Sequence, residues 1–147
     1  MIRPARATLL ARPIFLAEVN RMTGEPHWLM LTEAVGLIRS GEMSPVELTT
    51  KMLDRIAALD GALHAYITLT ADRAMAGATS ADAEIAAGHY RGPLHGIPIG
   101  IKDLCNTRGV PTAAGTAVLR DHIPDEDASV VKRLEDAGAI MLGKLTL

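Results

Sequence analysis

Only one of the 147 residues is a cysteine, Cys105. A single thiol excludes an internal disulfide framework and any cysteine-cluster metal site, and it is compatible with a reducing compartment. Taken alone, such a residue is a small buried hydrophobe. Aromatic side chains are nearly as scarce. Phe15, Trp28, Tyr66 and Tyr90 are the whole set, too few for a base-stacking platform or an aromatic sugar-binding wall. Neither sign of charge dominates: 15 Lys and Arg stand against 17 Asp and Glu, so no electrostatic case exists for nucleic acid or an anionic membrane as partner. No stretch approaches the roughly 20 apolar residues of a membrane span. The histidines, His27, His64, His89, His95 and His122, are never spaced three, four or five apart, so no helical metal-ligand pair can be read from them.

What is present is enough for one domain, and a chain of this length can bury about 70% of its unfolded surface. Arg3, Arg6 and Arg12 precede the first acid, Glu18, in a superficially signal-like start. The apolar run from Ala7 to Ala11 is too short for an h-region, and Arg12 interrupts it. Residues 1–30 therefore read as a loose N-terminal extension, or as the product of a start codon upstream of Met22 or Met30.

Leu31, Ala34, Val35, Leu37 and Ile38 have the spacing of a short amphipathic helix that stops at Gly41. Ser44-Pro45-Val46-Glu47 then has every element of a helix start: an N-cap hydroxyl, proline at the first position, and a glutamate placed to close a capping box. Leu48, Met52, Ile56 and Leu59 form the stripe behind it. The spacing predicts a strand over 64–69, an alanine-rich helix over 71–87, a helix over 127–137 closed by Gly138, and a strand over 140–142. Between the last two predicted strands the order strand, loop, helix, strand is a βαβ unit. The predicted class is α/β, with a helical lead-in and a parallel pair covered by helices.

The first strand of that unit lies in G-P-L-H-G-I-P-I-G-I-K-D, Gly92 to Asp103. Side chains alternate along a strand, so Gly96, Pro98, Gly100 and Lys102 share one face, and Ile97, Ile99, Ile101 and Asp103 the other. One face is apolar and the other nearly bare. Glycine in a strand marks close approach of a ligand or another backbone, so substrate or a catalytic partner is expected beside Lys102. The following loop, 104–116, is long and rich in Gly, Pro and Thr, as functional loops often are.

Several neighbours invite chemical readings that their context weakens. Asp103 has the placement of a residue that binds local backbone amides. Cys105 has no histidine base in a recognisable nucleophile pattern. His95 reads as a packing or locally bonded residue. Gly138 to Leu145, GAIMLGKL, nearly matches a phosphate-binding loop. However, Leu145 replaces the magnesium-binding hydroxyl and residues 139–142 form a strand, so Gly143-Lys144 reads as the exit of a buried strand.

GPLHGIPIGIKD (92–103), GVPTAAGT (109–116) and DASVVKRLEDAGAIMLGK (127–144) together resemble the N-terminal third of the amidase signature family. The resemblance runs from about Leu31 to the last residue. It implies an α/β fold built round a mixed sheet, no metal and no organic cofactor, and amide hydrolysis by a Ser-cis-Ser-Lys triad in which Lys102 is the catalytic lysine. In that family the lysine relays a proton through a cis-serine to the nucleophilic serine, and water or another acceptor clears the acyl-enzyme. A base of this kind must be neutral. Bringing a lysine from about 10.4 to about 7 takes on the order of 4.6 kcal/mol of desolvation or like-charge repulsion, and burial on an apolar strand is one way to supply it.

The serines present, Ser40, Ser44, Ser80 and Ser129, lie in no glycine-rich Ser-Ser element. The chain is therefore expected to hold the lysine without the nucleophile, as the incomplete N-terminal part (31–147) of an amidase domain, and to be inactive alone. The full-length form would act on a small-molecule amide in the cytoplasm, with no nucleic acid or membrane partner, and could form a homodimer. The A subunit of a glutamyl-tRNA amidotransferase is the alternative. Those proteins tend to read K-D-N and G-K-T-N where this chain has Lys102-Asp103-Leu104 and Gly143-Lys144-Leu145-Thr146, which favours a general amidase. A non-catalytic docking or scaffold module is the alternative from another class, and unpaired sheet edges argue against it.

Overall fold

The computed structural model describes residues 26–147. The expected extension at 1–30 thus lies largely outside the described residues. Of its last five, Pro26–Trp28 form a 3-10 turn with Pro26 buried, and Arg55 bonds His27 Nε2 at 2.8 Å.

Helix α1 (Leu31–Ser40) turns Ala34 and Ile38 inward and ends at Gly41, whose φ of 75° lets its N–H reach back to the last carbonyls. Helix α2 (Pro45–Leu63) starts as its sequence requires: the Ser44 hydroxyl accepts from the Glu47 amide at 2.9 Å, and Pro45 occupies the first turn. Strand β1 (Tyr66–Leu69) follows, then α3 (Ala71–Ala86), β2 (Pro98–Lys102), a 3-10 turn (Ala117–Leu119), α4 (Ser129–Asp136) and β3 (Ile140–Leu145).

The sheet order is β1-β3-β2, with β2 parallel to β3 and β1 antiparallel to β3. The βαβ unit is present as expected, with α4 as its crossover. The sheet is mixed, as the family resemblance implied, because the 64–69 segment joins the far edge of β3 in the opposite sense. Ile140 and Leu142 pack on Ala74 and Ala78 of α3, with Met52, Leu53 and Ile56 of α2 behind them. On the other face, Ile101 and Met141 pack with Val131 of α4 and Val110 of the long loop. A third cluster joins Ala34 and Ile38 to Leu48 and Ile97.

The alanines of α3 permit this layering. Ala74, Ala78 and Ala81 are buried, and a small side chain every three or four residues lets the helix lie close on the sheet. Close approach also explains Gly143, where a Cβ would stand 3.0 Å from the Leu69 Cα of β1 and against the Thr68 carbonyl.

Candidate functional site

Lys102 ends β2, and the alternation read from the sequence holds: Ile101 and Asp103 are buried, while Gly100 and Lys102 are exposed. β2 and β3 are parallel, so their carboxyl ends lie side by side. Lys102 is paired with Leu145, and its Nζ donates to the Thr146 carbonyl. In open α/β sheets ligands gather outside the carboxyl ends of the strands, and Lys102 sits at such an end.

One expectation about this lysine is corrected. Its side chain is exposed, and the glycines that lead to it are filled from within the chain. Gly96 precedes β2 and packs on Pro45, where a Cβ would stand 2.6 Å from the proline ring; at Gly100 a Cβ would stand 2.8 Å from Leu145 Cδ1. What sits close beside Lys102 is therefore Leu145. A side chain on residue 100 would displace it.

Asp103 is 1% exposed and binds the loop as expected of a residue serving local backbone. Its Oδ2 accepts from the Ala113 amide at 3.0 Å, its carbonyl accepts from the Ala114 amide, and its own amide donates to the Leu145 carbonyl. Its Oδ1 lies 3.4 Å from Lys144 Nζ. Lys144, 0% exposed, also donates to Thr112 Oγ1 at 2.6 Å and to the Cys105 carbonyl at 2.8 Å. Burial pushes the Lys144 ammonium down from its ordinary range, and the Asp103 carboxylate opposes that. A buried cation thus ties both ends of the loop, through Cys105 and Thr112, to the strand next to β2.

The sequence reading missed Lys144 because simple alternation puts it on the wrong face. In β3, Met141 pairs with Ile99 but Gly143 pairs with Gly100, so one residue is left over on β3. Such a bulge reverses which face the following side chains take. Lys144 stands opposite Ile101, on the face of Met141 and Asp103, instead of joining Ile140 and Leu142. The near-match to a phosphate loop is a strand, as the sequence indicated, and its lysine points into protein. A single lysine within the otherwise apolar run Ile140 to Leu145 was the available signal.

The remaining candidates are placed elsewhere. Cys105 is half-buried with a free thiol. Buried His95 lies under Arg91 and Glu84: its Nδ1 accepts from the Arg91 amide at 3.2 Å and its Nε2 is 3.4 Å from Glu84. Three of the four serines bond locally and the fourth opens a helix. Ser40 bonds Leu37 and Glu42, Ser44 caps α2, Ser80 bonds Glu84, and Ser129 opens α4.

A family described as Amidase matches residues 47–147. The chain is 50% identical over 119 residues to "Putative amidase AmiD" of Mycobacterium tuberculosis, covering 81% of this chain and 25% of that protein. It is 44% identical over 115 residues to the A subunit of glutamyl-tRNA(Gln) amidotransferase from Acidothermus cellulolyticus, covering 78% and 23%. Among solved structures, native peptide amidase from Stenotrophomonas maltophilia matches with a TM-score of 0.74 and 42% identity, over 80% of this chain and 24% of that one. The chain spans about a quarter of the length of these relatives.

Proposed function

This chain belongs to the amidase family, and on that footing we propose that it supplies the lysine base of an amide hydrolase, Lys102, whose serine nucleophile and cis-serine lie in sequence it does not contain. The observation that carries this reading is the place of Lys102. Its side chain is exposed at the carboxyl ends of two parallel strands, with its backbone held by β3.

Lys102 in its neutral form would take the proton of a cis-serine as that serine takes the proton of the nucleophile. The nucleophilic oxygen then attacks the amide carbon, the amine leaves with a proton returned along the same relay, and water releases the acid. The substrate is a small carboxamide, and the protein works in the cytoplasm without nucleic acid or membrane partner. Lys102-Asp103-Leu104 favours a general amidase over a component of an amidotransferase.

The test is ammonia release from a simple primary carboxamide. The chain alone is expected to give none. Mixed with the separately produced downstream three quarters of the mycobacterial relative, it is expected to give turnover that Lys102→Ala abolishes. Turnover that survives Lys102→Ala would overturn the assignment.

A further inference from the structure

Resting on that reading, we propose that Lys144 is a positioning residue for Lys102: from the other face of the sheet, its buried ammonium fixes the backbone that follows Lys102 and holds the loop 104–116 in place. The two lysines lie on opposite faces of adjacent strands. Lys102 is paired with Leu145 on one face, where its side chain is exposed, and Lys144 with Ile101 on the other, where it is buried.

Every contact of Lys144 leads to the stretch that begins at Lys102. The Lys102 carbonyl accepts from the Cys105 amide at 3.0 Å, closing a turn. The carbonyl of Cys105 accepts from Lys144, and so does the Thr112 hydroxyl, which itself donates to the Val110 carbonyl at 3.2 Å. Asp103, beside Lys102 in sequence, faces the same ammonium and holds the amides of Ala113 and Ala114. Ala114 is kept at a φ of 48°, a left-handed conformation that a non-glycine residue retains only when its surroundings impose it.

An apolar residue of the same volume would fit this strand without the cost of burying a charge. Replacing a buried ion pair in that way is often neutral or stabilising. What an apolar residue cannot do is donate to two acceptors from opposite ends of one loop while facing the carboxylate that anchors its close. The bulge in β3 serves the same end, since without it Lys144 would face α2 and α3. The geometry assigns the lysine to loop placement rather than to core volume.

The experiment uses the full 147-residue chain as wild type, Lys144→Met and the milder Thr112→Val, with two readouts. Amide hydrogen exchange follows Asp103, Ala113 and Ala114 against core amides of α2 and α3. Competitive acylation by acetic anhydride, read by peptide mass across pH, follows the reactivity of Lys102 relative to exposed Lys51. The expected result is at least tenfold faster exchange confined to the loop amides, together with a changed Lys102 profile and an unchanged Lys51 profile, Thr112→Val showing a smaller version of both. Equal losses of protection across α2, α3 and the loop, or failure of both variants to fold, would make Lys144 a core residue and overturn the proposal. So would an unmoved Lys102 profile. Neither readout requires amide turnover, so a failed assignment of Lys102 as base would leave this result separately legible.

Discussion

Leu145 lies over Gly100 across the β2–β3 pair, so closely that a Cβ on residue 100 would stand 2.8 Å from its Cδ1 and 2.9 Å from its Cγ. The contact includes the branch point of the leucine, so rotation about χ2 alone does not clear it. Gly100→Val is expected to cost about 1–3 kcal/mol through overpacking, and the strain falls where the strand bearing Leu145 meets Lys102. Gly100→Val combined with Leu145→Ala should recover part of that loss. A urea-melt double-mutant cycle giving additive effects would contradict the contact.

Gly143 faces backbone, not side chain. A Cβ there would press on the Thr68 carbonyl and the Leu69 Cα, and neither can rotate away. Gly143→Ala is expected to lose about 2–4 kcal/mol, as a clash at a packed site does, and to release β1 preferentially. Amide exchange at Thr70, which bonds the Leu142 carbonyl at 2.9 Å, should rise more than exchange at Ile140.

Ser44 satisfies the Glu47 amide at the start of α2. Ser44→Ala should lower stability by about 1 kcal/mol, and Ser44→Asp should restore most of it. Thermal melts of the three proteins check this.

His95 gives a pH dependence of definite sign. Burial holds its imidazole below the ordinary 6.5; Glu84 opposes that and Arg91 assists it. The unfolded chain therefore takes up the proton first as pH falls through 6.5, and stability declines from there until the folded imidazole is also protonated. His95→Gln should remove this decline, as read from urea midpoints between about pH 7.5 and 5.5. Glu84, also held below its usual range, chiefly by its bond to Arg91, contributes only under 4.5. An identical slope in wild type and His95→Gln would refute the assignment.

Much of this architecture was legible along the chain, because it depends on neighbours in sequence. Ser44 and Pro45 start α2 through contacts within one turn. The strand expected at 64–69 appears as Tyr66–Leu69, and the helix expected at 71–87 as Ala71–Ala86. The helix over 127–137 is shorter at both ends, Ser129–Asp136, and the last strand runs on to Leu145 instead of stopping at 142. That extension escaped notice because Gly143 and Lys144 look like an exit until β1 and β2 are placed on either side of them.

Alternation by itself determined that Ile101 and Asp103 share the face opposite Lys102, since a strand's period is local. It could not decide what fills the space at Gly100 or which face receives Lys144. Those depend on one surplus residue in β3, and a bulge exists only relative to the partner strand it fails to match. The sequence alone thus determined the helices, the βαβ order and which residues of β2 share a face. Tertiary structure decided the docking of β1 on the far edge of β3, the packing of Leu145 on Gly100 and the buried cation behind the site, because each arises from register between segments far apart in the chain.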